Sequence, residues 1–274
     1  MMKMRRSSRI VAITKILSDE PYNLISLNKF TKRFNAAKST ISEDLAIIKD
    51  VFKQEKMGKI ETVSGAAGGV RFIPYKGSQD IQETIINLCN QLSDPDRILA
   101  GGYVYMTDLI FNPKLMAKVG KIFATKFADL DAQYIITMET KGIPIALMTA
   151  RALNLPLVSI RKASKVTEGS VVSINYITGS SKKIETMSLS RRALPEGSKV
   201  IIIDDFMKAG GTAKGMLDLM GEFKAEVLDI GVLIKTSTPK QKLVEDYTSL
   251  AVLKKVNEAE EEIIVDPSEW VRNL

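Results

Sequence analysis

Val200-Ile201-Ile202-Ile203-Asp204-Asp205-Phe206-Met207-Lys208-Ala209-Gly210-Gly211-Thr212 reads as a buried strand that ends in two acids and a glycine turn. Four aliphatic residues in succession describe a strand covered on both faces, as in a parallel sheet, and Thr212 to Phe223 has helical spacing. The acids therefore fall at the carboxyl end of a strand, where open α/β sheets bind ligands. A glycine turn running into a helix offers bare N–H groups and the positive end of the helix dipole to a phosphate. Adjacent carboxylates repel that phosphate, so they suit uncharged groups, and the neighbouring hydroxyls of a ribose match two adjacent acceptors. A sugar 5-phosphate satisfies both halves.

Other segments extend the same pattern. Tyr134 to Met138 reads as a second buried strand, followed by the loop Glu139-Thr140-Lys141-Gly142 and a helical stretch from Ile143 to Leu153. This is a second strand, loop and helix anion site. After a strand from Leu157 to Ile160 comes the basic loop Arg161-Lys162-Ala163-Ser164-Lys165. Residues 167–192 alternate loosely around the turn signal Thr178-Gly179-Ser180-Ser181 and read as a hairpin. Strands alternating with helices predict an α/β domain with a mostly parallel sheet.

Composition removes several chemistries. There is no histidine, and Cys89, in an apolar helical stretch, is the only cysteine. A histidine-based triad, a His–Cys zinc site and an intrachain disulfide are excluded, and Cys89 reads as a small core residue. No apolar run approaches the length of a membrane span, and no signal-peptide core follows the basic N-terminus. The expectation is a cytoplasmic protein without membrane attachment.

Charge divides the chain. Residues 1–76 hold 15 Lys and Arg against 7 Asp and Glu, and the remaining residues hold 24 against 25, so the net +7 lies entirely in the first quarter. A compact basic module on a near-neutral body implies a polyanionic partner, and nucleic acid fits better than a membrane because no apolar amphipathic face accompanies the charge. The stretch Pro74-Tyr75-Lys76-Gly77-Ser78 reads as the linker, giving domains 1–74 and 75–274.

Within the basic module, Ser8 to Leu17 places Ile10, Val11, Ile13, Ile16 and Leu17 at helical spacing, and Pro21 closes it. Leu27 to Phe34 makes a short second helix with Leu27, Phe30 and Phe34 on one face. A third helix from about Lys38 to Lys56 turns Ile41, Leu45, Ile48 and Phe52 inward. Two β-like runs follow, Lys59 to Val63 and Val70 to Ile73, joined by the tip Ser64-Gly65-Ala66-Ala67-Gly68-Gly69. Three helices and a wing make a winged helix-turn-helix. Lys38, Ser39, Thr40 and Ser42 in the first turns of the third helix suit the major groove, with Lys49 further along it and Arg71 in the wing. Arg5, Arg6 and Arg9 add phosphate or minor-groove contacts. Ser39 or Thr40 also reads as an N-cap with Glu43 as its capping-box partner, and capping and DNA contact can coexist.

The segment Val200 to Thr212 resembles the 5-phosphoribosyl-1-pyrophosphate (PRPP) motif of type I phosphoribosyltransferases. That resemblance implies that Asp204, Asp205, Phe206, Met207, Lys208, Ala209, Gly210, Gly211 and Thr212 hold the ribose phosphate. It implies further that Thr140, Lys141 and Gly142 face the pyrophosphate, that Arg161, Lys162 and Lys165 reach it, often across a dimer interface, and that the hairpin closes over PRPP. Magnesium is expected to arrive with the pyrophosphate, with no dedicated cofactor or protein cage. Over nearly its full length the chain resembles the PurR family of purine operon regulators of Gram-positive bacteria. The residues that carry this are Lys38-Ser39-Thr40-Ile41-Ser42-Glu43-Asp44-Leu45, the Gly65 to Val70 wing, Gly101-Gly102-Tyr103-Val104-Tyr105, Glu139 to Gly142, and Asp204 to Gly211. The family implies a homodimeric DNA-binding regulator of purine genes with PRPP as effector, Tyr103 included in the effector site, and a transferase-like fold without catalysis. One departure favours sensing: Ala209 stands where many transferases place a threonine that helps hold the 5′-phosphate, leaving Lys208 to supply charge. The rival reading is an active purine phosphoribosyltransferase with an appended nucleic-acid module. The sequence leaves open repression against activation, and the sign of the PRPP effect.

Overall fold

The structure is a computed structural model that describes residues 4–65, 67–163, 167, 169–178 and 183–274. Ala66, Ser164, Lys165 and Gly179 to Ser181, used in the readings above, lie outside the described residues. The chain separates into two compact units, the first of residues up to Gly77 together with Arg151–Asn154, the second of Ser78–Ala150 and Leu155–Leu274.

The first unit is built from α1 (Arg6–Asp19), α2 (Leu27–Phe34), α3 (Lys38–Gln54) and the antiparallel hairpin of β1 (Lys59–Val63) and β2 (Gly69–Ile73). Apolar spacing of three and four residues brings Ile13 and Leu17, Phe30 and Phe34, and Ile41, Leu45, Ile48 and Phe52 into one core with Ile60, Val70 and Phe72. Val11 is the exception among the α1 apolar residues, being 68% exposed. The turn between α2 and α3 is set by Asn35, which adopts the left-handed conformation (φ 46°) that asparagine tolerates. Ala37, in extended conformation, is the N-cap of α3, so Ser39 and Thr40 lie inside the first turn and neither caps the helix. Glu43 instead approaches Arg6 at 3.7 Å. The wing is tied back through the bridge between Ile25 and Val70, and Gly69 is required there because a Cβ would lie 2.5 Å from the Ile25 carbonyl oxygen.

One polar contact lies inside this core. Asp44 on α3 is fully buried and accepts from Arg9 Nε at 2.5 Å and Arg6 Nε at 3.2 Å, fastening α1 to α3.

The second unit opens with α4 (Ser78–Leu92), which buries Cys89 in its apolar face, where burial pushes the thiol up to about 12. A 3₁₀ turn (Pro95–Arg97) leads to the small hairpin of β3 (Ile98–Leu99) and β4 (Tyr103–Val104), then α5 (Thr107–Ile110) and α6 (Pro113–Lys126). There follow β5 (Tyr134–Met138), α7 (Gly142–Leu153), β6 (Leu157–Ile160), and the antiparallel pair β7 (Val171–Ile177) and β8 (Ile184–Ser190). The unit closes with β9 (Lys199–Met207), α8 (Gly211–Glu222), β10 (Glu226–Thr236), β11 (Thr248–Asn257), β12 (Glu262–Pro267) and α9 (Glu269–Arg272).

Six strands form one sheet in the order β12-β11-β10-β9-β5-β6, parallel except for the edge strand β12. From β5 the chain proceeds outward to β6, and from β9 it proceeds the other way to β10, so the order reverses between β5 and β9. That reversal opens a crevice at the carboxyl ends of these two central strands. Val200 and Ile202 of β9 pack with Ala213, Met216, Leu219 and Met220 of α8. On the opposite face, Gly231 of β10 leaves room for Phe123 of α6 and for Ile203.

Replacing Asp44 with Ala strands the Arg9 guanidinium in an apolar surrounding, and loss of one partner of a buried pair costs about 3–5 kcal/mol. Urea unfolding of the full chain is expected to show that loss in the winged-helix transition. The double replacement Arg9→Met with Asp44→Leu is expected to cost less than Asp44→Ala alone; an equal or larger cost for the double variant would refute the account.

Candidate functional site

A cavity of about 730 Å³ occupies the crevice, and its wall includes every residue from Asp204 to Ala213. The acids lie within β9 rather than after it. β5 accompanies β9 only as far as the pair Ile136↔Ile202, whereas β10 runs beside it to Lys235↔Met207. The strand therefore continues past the acids on one-sided pairing, with its other edge open to the cavity. Asp204 is buried and its Oδ1 accepts the Asp205 N–H at 3.0 Å. Burial, followed by the charge of Asp205, holds the Asp204 carboxyl well above the usual carboxylate range. Burial also raises Asp205, against the opposing pull of its hydrogen bond with Asp204 and of the Lys141 charge. Phe206 is half-buried and Met207 is buried at the strand end.

Beyond Met207 the chain passes through exposed Lys208 and half-buried Ala209 to Gly210. Gly210 is the N-cap of α8 with φ 85°, a left-handed conformation that glycine adopts without a Cβ penalty. Gly211, Thr212 and Ala213 form the first helical turn on the cavity wall, where N–H groups and the dipole favour an anion.

The β5–α7 loop contributes less directly. Glu139 and Lys141 line the cavity, whereas Thr140 and Gly142 do not. The part played by Gly142 is spatial, since a Cβ there would lie 2.2 Å from Thr137 Oγ1 and 3.3 Å from Asp204 Oδ1. Of the basic loop, Lys162 lines the cavity and Arg161 does not. Arg161 Nη1 donates to Glu139 Oε2 at 3.1 Å, and its backbone bridges Ser188 of β8, so Arg161 holds the hairpin to the sheet edge instead of reaching into the cavity. Lys165 lies outside the described residues. Tyr103, 69% exposed on the β3–β4 hairpin, stands at the rim with Gly101 and Gly102.

Sequence reasoning missed several wall residues. Tyr176 and Glu185, from β7 and β8, line the cavity and join through a 2.9 Å hydrogen bond from the phenol, which burial and that carboxylate push up to about 12. Thr236 at the end of β10, Thr238 just beyond it and Leu253 to Val256 of β11 also line it. Tyr176 and Glu185 fell in the loosely alternating 167–192 segment, which does not specify which ends meet, and residues 236–256 carry no motif. Among the described residues no three or more acids, histidines or cysteines converge to hold a metal, and no helix is long and apolar enough to cross a membrane.

The other candidate surface is on the first unit. Lys38, Ser39, Ser42 and Lys49 of α3 are exposed and Thr40 is half-buried, while Ser42 Oγ donates to the Lys38 carbonyl at 3.0 Å. Arg5 and Arg6 are exposed. Arg71 pairs with Glu61 across the wing. Arg9 is a correction: it is 4% exposed and committed to Asp44, so it serves the core and not a phosphate contact.

The raised acids make a stability prediction. An acid whose folded value exceeds its unfolded value, about 3.9 for Asp, keeps a proton on folding that the unfolded chain releases, so stability falls as pH rises through that window and stays reduced above it. Asp204→Asn retains an acceptor for the Asp205 N–H and removes the buried charge. Its melting temperature is expected to exceed that of the wild type at pH 7, with the gap closing as pH is lowered toward about 4. A lower melting temperature at pH 7 would contradict the assigned burial cost.

Residues 5–74 match the family described as Bacterial purine repressor, N-terminal, and residues 107–268 match the family described as Phosphoribosyl transferase domain. The chain is 48% identical over 271 residues to the purine biosynthesis transcriptional repressor PurR of Bacillus subtilis (strain 168), covering 99% of this chain and 95% of that protein. It is 38% identical over 262 residues to the purine biosynthesis transcriptional activator PurR of Lactococcus lactis subsp. lactis (strain IL1403), covering 96% and 97%. The crystal structure of adenine phosphoribosyltransferase from Thermoanaerobacter pseudethanolicus shares the fold, with a TM-score of 0.53 and 21% identity over 61% of this chain and 98% of that one. A basic winged-helix unit and a parallel sheet with acids at its topological switch, matched over nearly the whole length by these regulators, place the chain in the PurR family of purine biosynthesis transcriptional regulators.

Proposed function

We propose that this chain is a homodimeric DNA-binding regulator of purine biosynthesis genes whose second unit binds PRPP as an effector and does not turn it over. The observation that carries the reading is the cavity in which the Asp204–Asp205 pair and the N-terminus of α8 converge. The acids accept the ribose hydroxyls, and the Lys208 to Thr212 turn receives the 5-phosphate. Lys141 and Lys162 line the same cavity and supply charge for the diphosphate carried by that ribose. Ala209 provides no hydroxyl there, which leaves equilibrium binding to backbone and charge. Mg²⁺ fits as a companion of the diphosphate, because the acids at this wall are oxygen donors. When bound, it neutralises diphosphate charge.

Exposed Lys38, Ser39 and Ser42 on α3 support major-groove contact, with exposed Lys49, Arg5 and Arg6 on phosphates. PRPP acts on this contact only through a difference in its affinity for two states of the protein. Repression or activation then follows from where the operator lies relative to the promoter.

Fluorescence anisotropy on duplex DNA from upstream of purine biosynthesis genes, against a scrambled duplex at fixed salt with Mg²⁺, tests the reading. Selective binding that PRPP changes is expected; binding indifferent to PRPP, or base-dependent consumption of PRPP, would instead support the transferase reading. Asp204→Ala removes hydrogen bonds to a charged acceptor, each worth about 1.5–3 kcal/mol, so PRPP affinity is expected to fall roughly 10–100-fold while effector-free DNA affinity is unchanged. Equal loss of both would end the idea of separable sites. Lys49→Ala is expected to weaken all duplexes alike and to reduce the salt slope by about 1, whereas a loss confined to one sequence would assign it to base recognition.

A further inference from the structure

We infer that Lys242 is a positioning residue of the anion turn: its ammonium holds the Lys208 carbonyl so that the Ala209 and Gly210 N–H groups face the cavity. The inference rests on the proposed PRPP reading for the identity of the anion, and on the geometry of the 236–243 segment for the role.

The Lys242 ammonium spends its three protons on this chain. It donates to the Lys208 carbonyl, to the Thr236 carbonyl at 3.0 Å and to Thr236 Oγ1 at 3.0 Å. Thr236 Oγ1 lies 2.6 Å from the Thr238 carbonyl and 3.2 Å from the Lys208 carbonyl, closing a small polar knot around the end of β9. The next residue repeats the contact, since the Leu243 N–H donates to the Ala209 carbonyl at 2.9 Å. Two successive carbonyls of the turn are thus drawn to one segment, by an ammonium and by an amide.

A trans peptide unit is planar, with its C=O and N–H pointing in opposite directions. Fixing the Lys208 oxygen therefore aims the Ala209 N–H away from Lys242, and fixing the Ala209 oxygen does the same for the Gly210 N–H. Lys242 and Leu243 are absent from the cavity wall, whereas Lys208, Ala209 and Gly210 form part of it, with Thr236 at its margin, so N–H groups turned from the 242–243 segment are turned toward the wall that residues 208–210 make. Among the described residues, neither the Ala209 nor the Gly210 N–H has a hydrogen-bond acceptor. Two aimed, unclaimed donors in front of a helix N-terminus make a backbone nest for an anion. Gly210 reinforces the arrangement, because a Cβ there would sit 3.2 Å from the Leu243 nitrogen. Under the PRPP reading, backbone donors in the nest would do the work of the hydroxyl that Ala209 lacks.

The test uses the full chain in three forms: wild type, Lys242→Met, which keeps the apolar stem and removes the donors, and Lys242→Arg, which keeps a cation. Isothermal titration with PRPP and with ribose 5-phosphate is run at a temperature where circular dichroism shows all three folded. For Lys242→Met, an affinity loss of about tenfold for both ligands is expected, one hydrogen bond to a charged group being worth that order. The Gly210 amide signal, shifted by ribose 5-phosphate in wild-type protein, is expected to respond weakly. Lys242→Arg is expected to recover part of both, and effector-free DNA affinity is expected to be unchanged. A merely structural lysine would lower the melting temperature and leave affinity and the Gly210 response intact, and that outcome overturns the inference. Should wild-type protein give no binding with PRPP, the effector reading itself fails; should wild type and Lys242→Met bind equally, the Lys242 role alone fails.

Discussion

β9 is paired on both sides up to Ile202 and on one side beyond it, and the site depends on that change. A strand paired on both edges has no backbone free for a ligand, and an unpaired extension has no support. β10 supplies the support through Lys235, which fixes where Asp204 and Asp205 stand, while the retreat of β5 after Met138 leaves room for the 139–142 loop and the cavity. The same residues that form the parallel core, Val200 to Ile203, set the direction of the acids by strand alternation. Register of the central strand and geometry of the site are thus one constraint.

The acids show what that constraint costs. Two adjacent carboxylates partly or wholly out of water would be poor choices for stability alone, and both are displaced upward. A ligand bearing hydroxyl donors, or cationic charge brought with it, would offset part of that burial cost. The buried Asp44 differs in kind. Arg9 and Arg6 compensate it internally, and it serves α1–α3 packing.

Much of this was legible in the sequence where the signal is local. The aliphatic run before Asp204, the glycine turn, the strand at Tyr134, and the periodicity of α2 and α3 each depend on a few neighbouring residues, and the structure places them with boundaries differing by a residue or two, except that β9 runs on through the acids to Met207. Partnerships over long separations were not legible. Arg9 read as a surface cation because nothing nearby in sequence shows that Asp44, 35 residues later, will lie against it in the core. Arg161 read as a ligand contact because its use on Glu139 and Ser188 depends on the hairpin docking at the sheet edge. Lys242 lies 34 residues from Lys208, in a segment with no motif of its own. Capping misled locally as well, because Ala37 with extended backbone starts α3 without any side-chain acceptor.

On the proposed reading, the turn at Lys208 to Gly210 bears on how a transferase fold would serve as a receptor. Catalysis requires interactions stronger in the transition state than in the ground state, which puts stringent demands on where each donor points as bonds break. An effector site needs only ground-state affinity that differs between two conformations of the protein. Backbone donors aimed by carbonyl contacts to Lys242 and Leu243 meet the second demand at low conformational cost, because the turn is held before ligand arrives. Alanine at position 209 is then no defect. It offers no hydroxyl and leaves the backbone donors in place, which under the proposed reading an equilibrium sensor would tolerate and a catalyst relying on that hydroxyl would not.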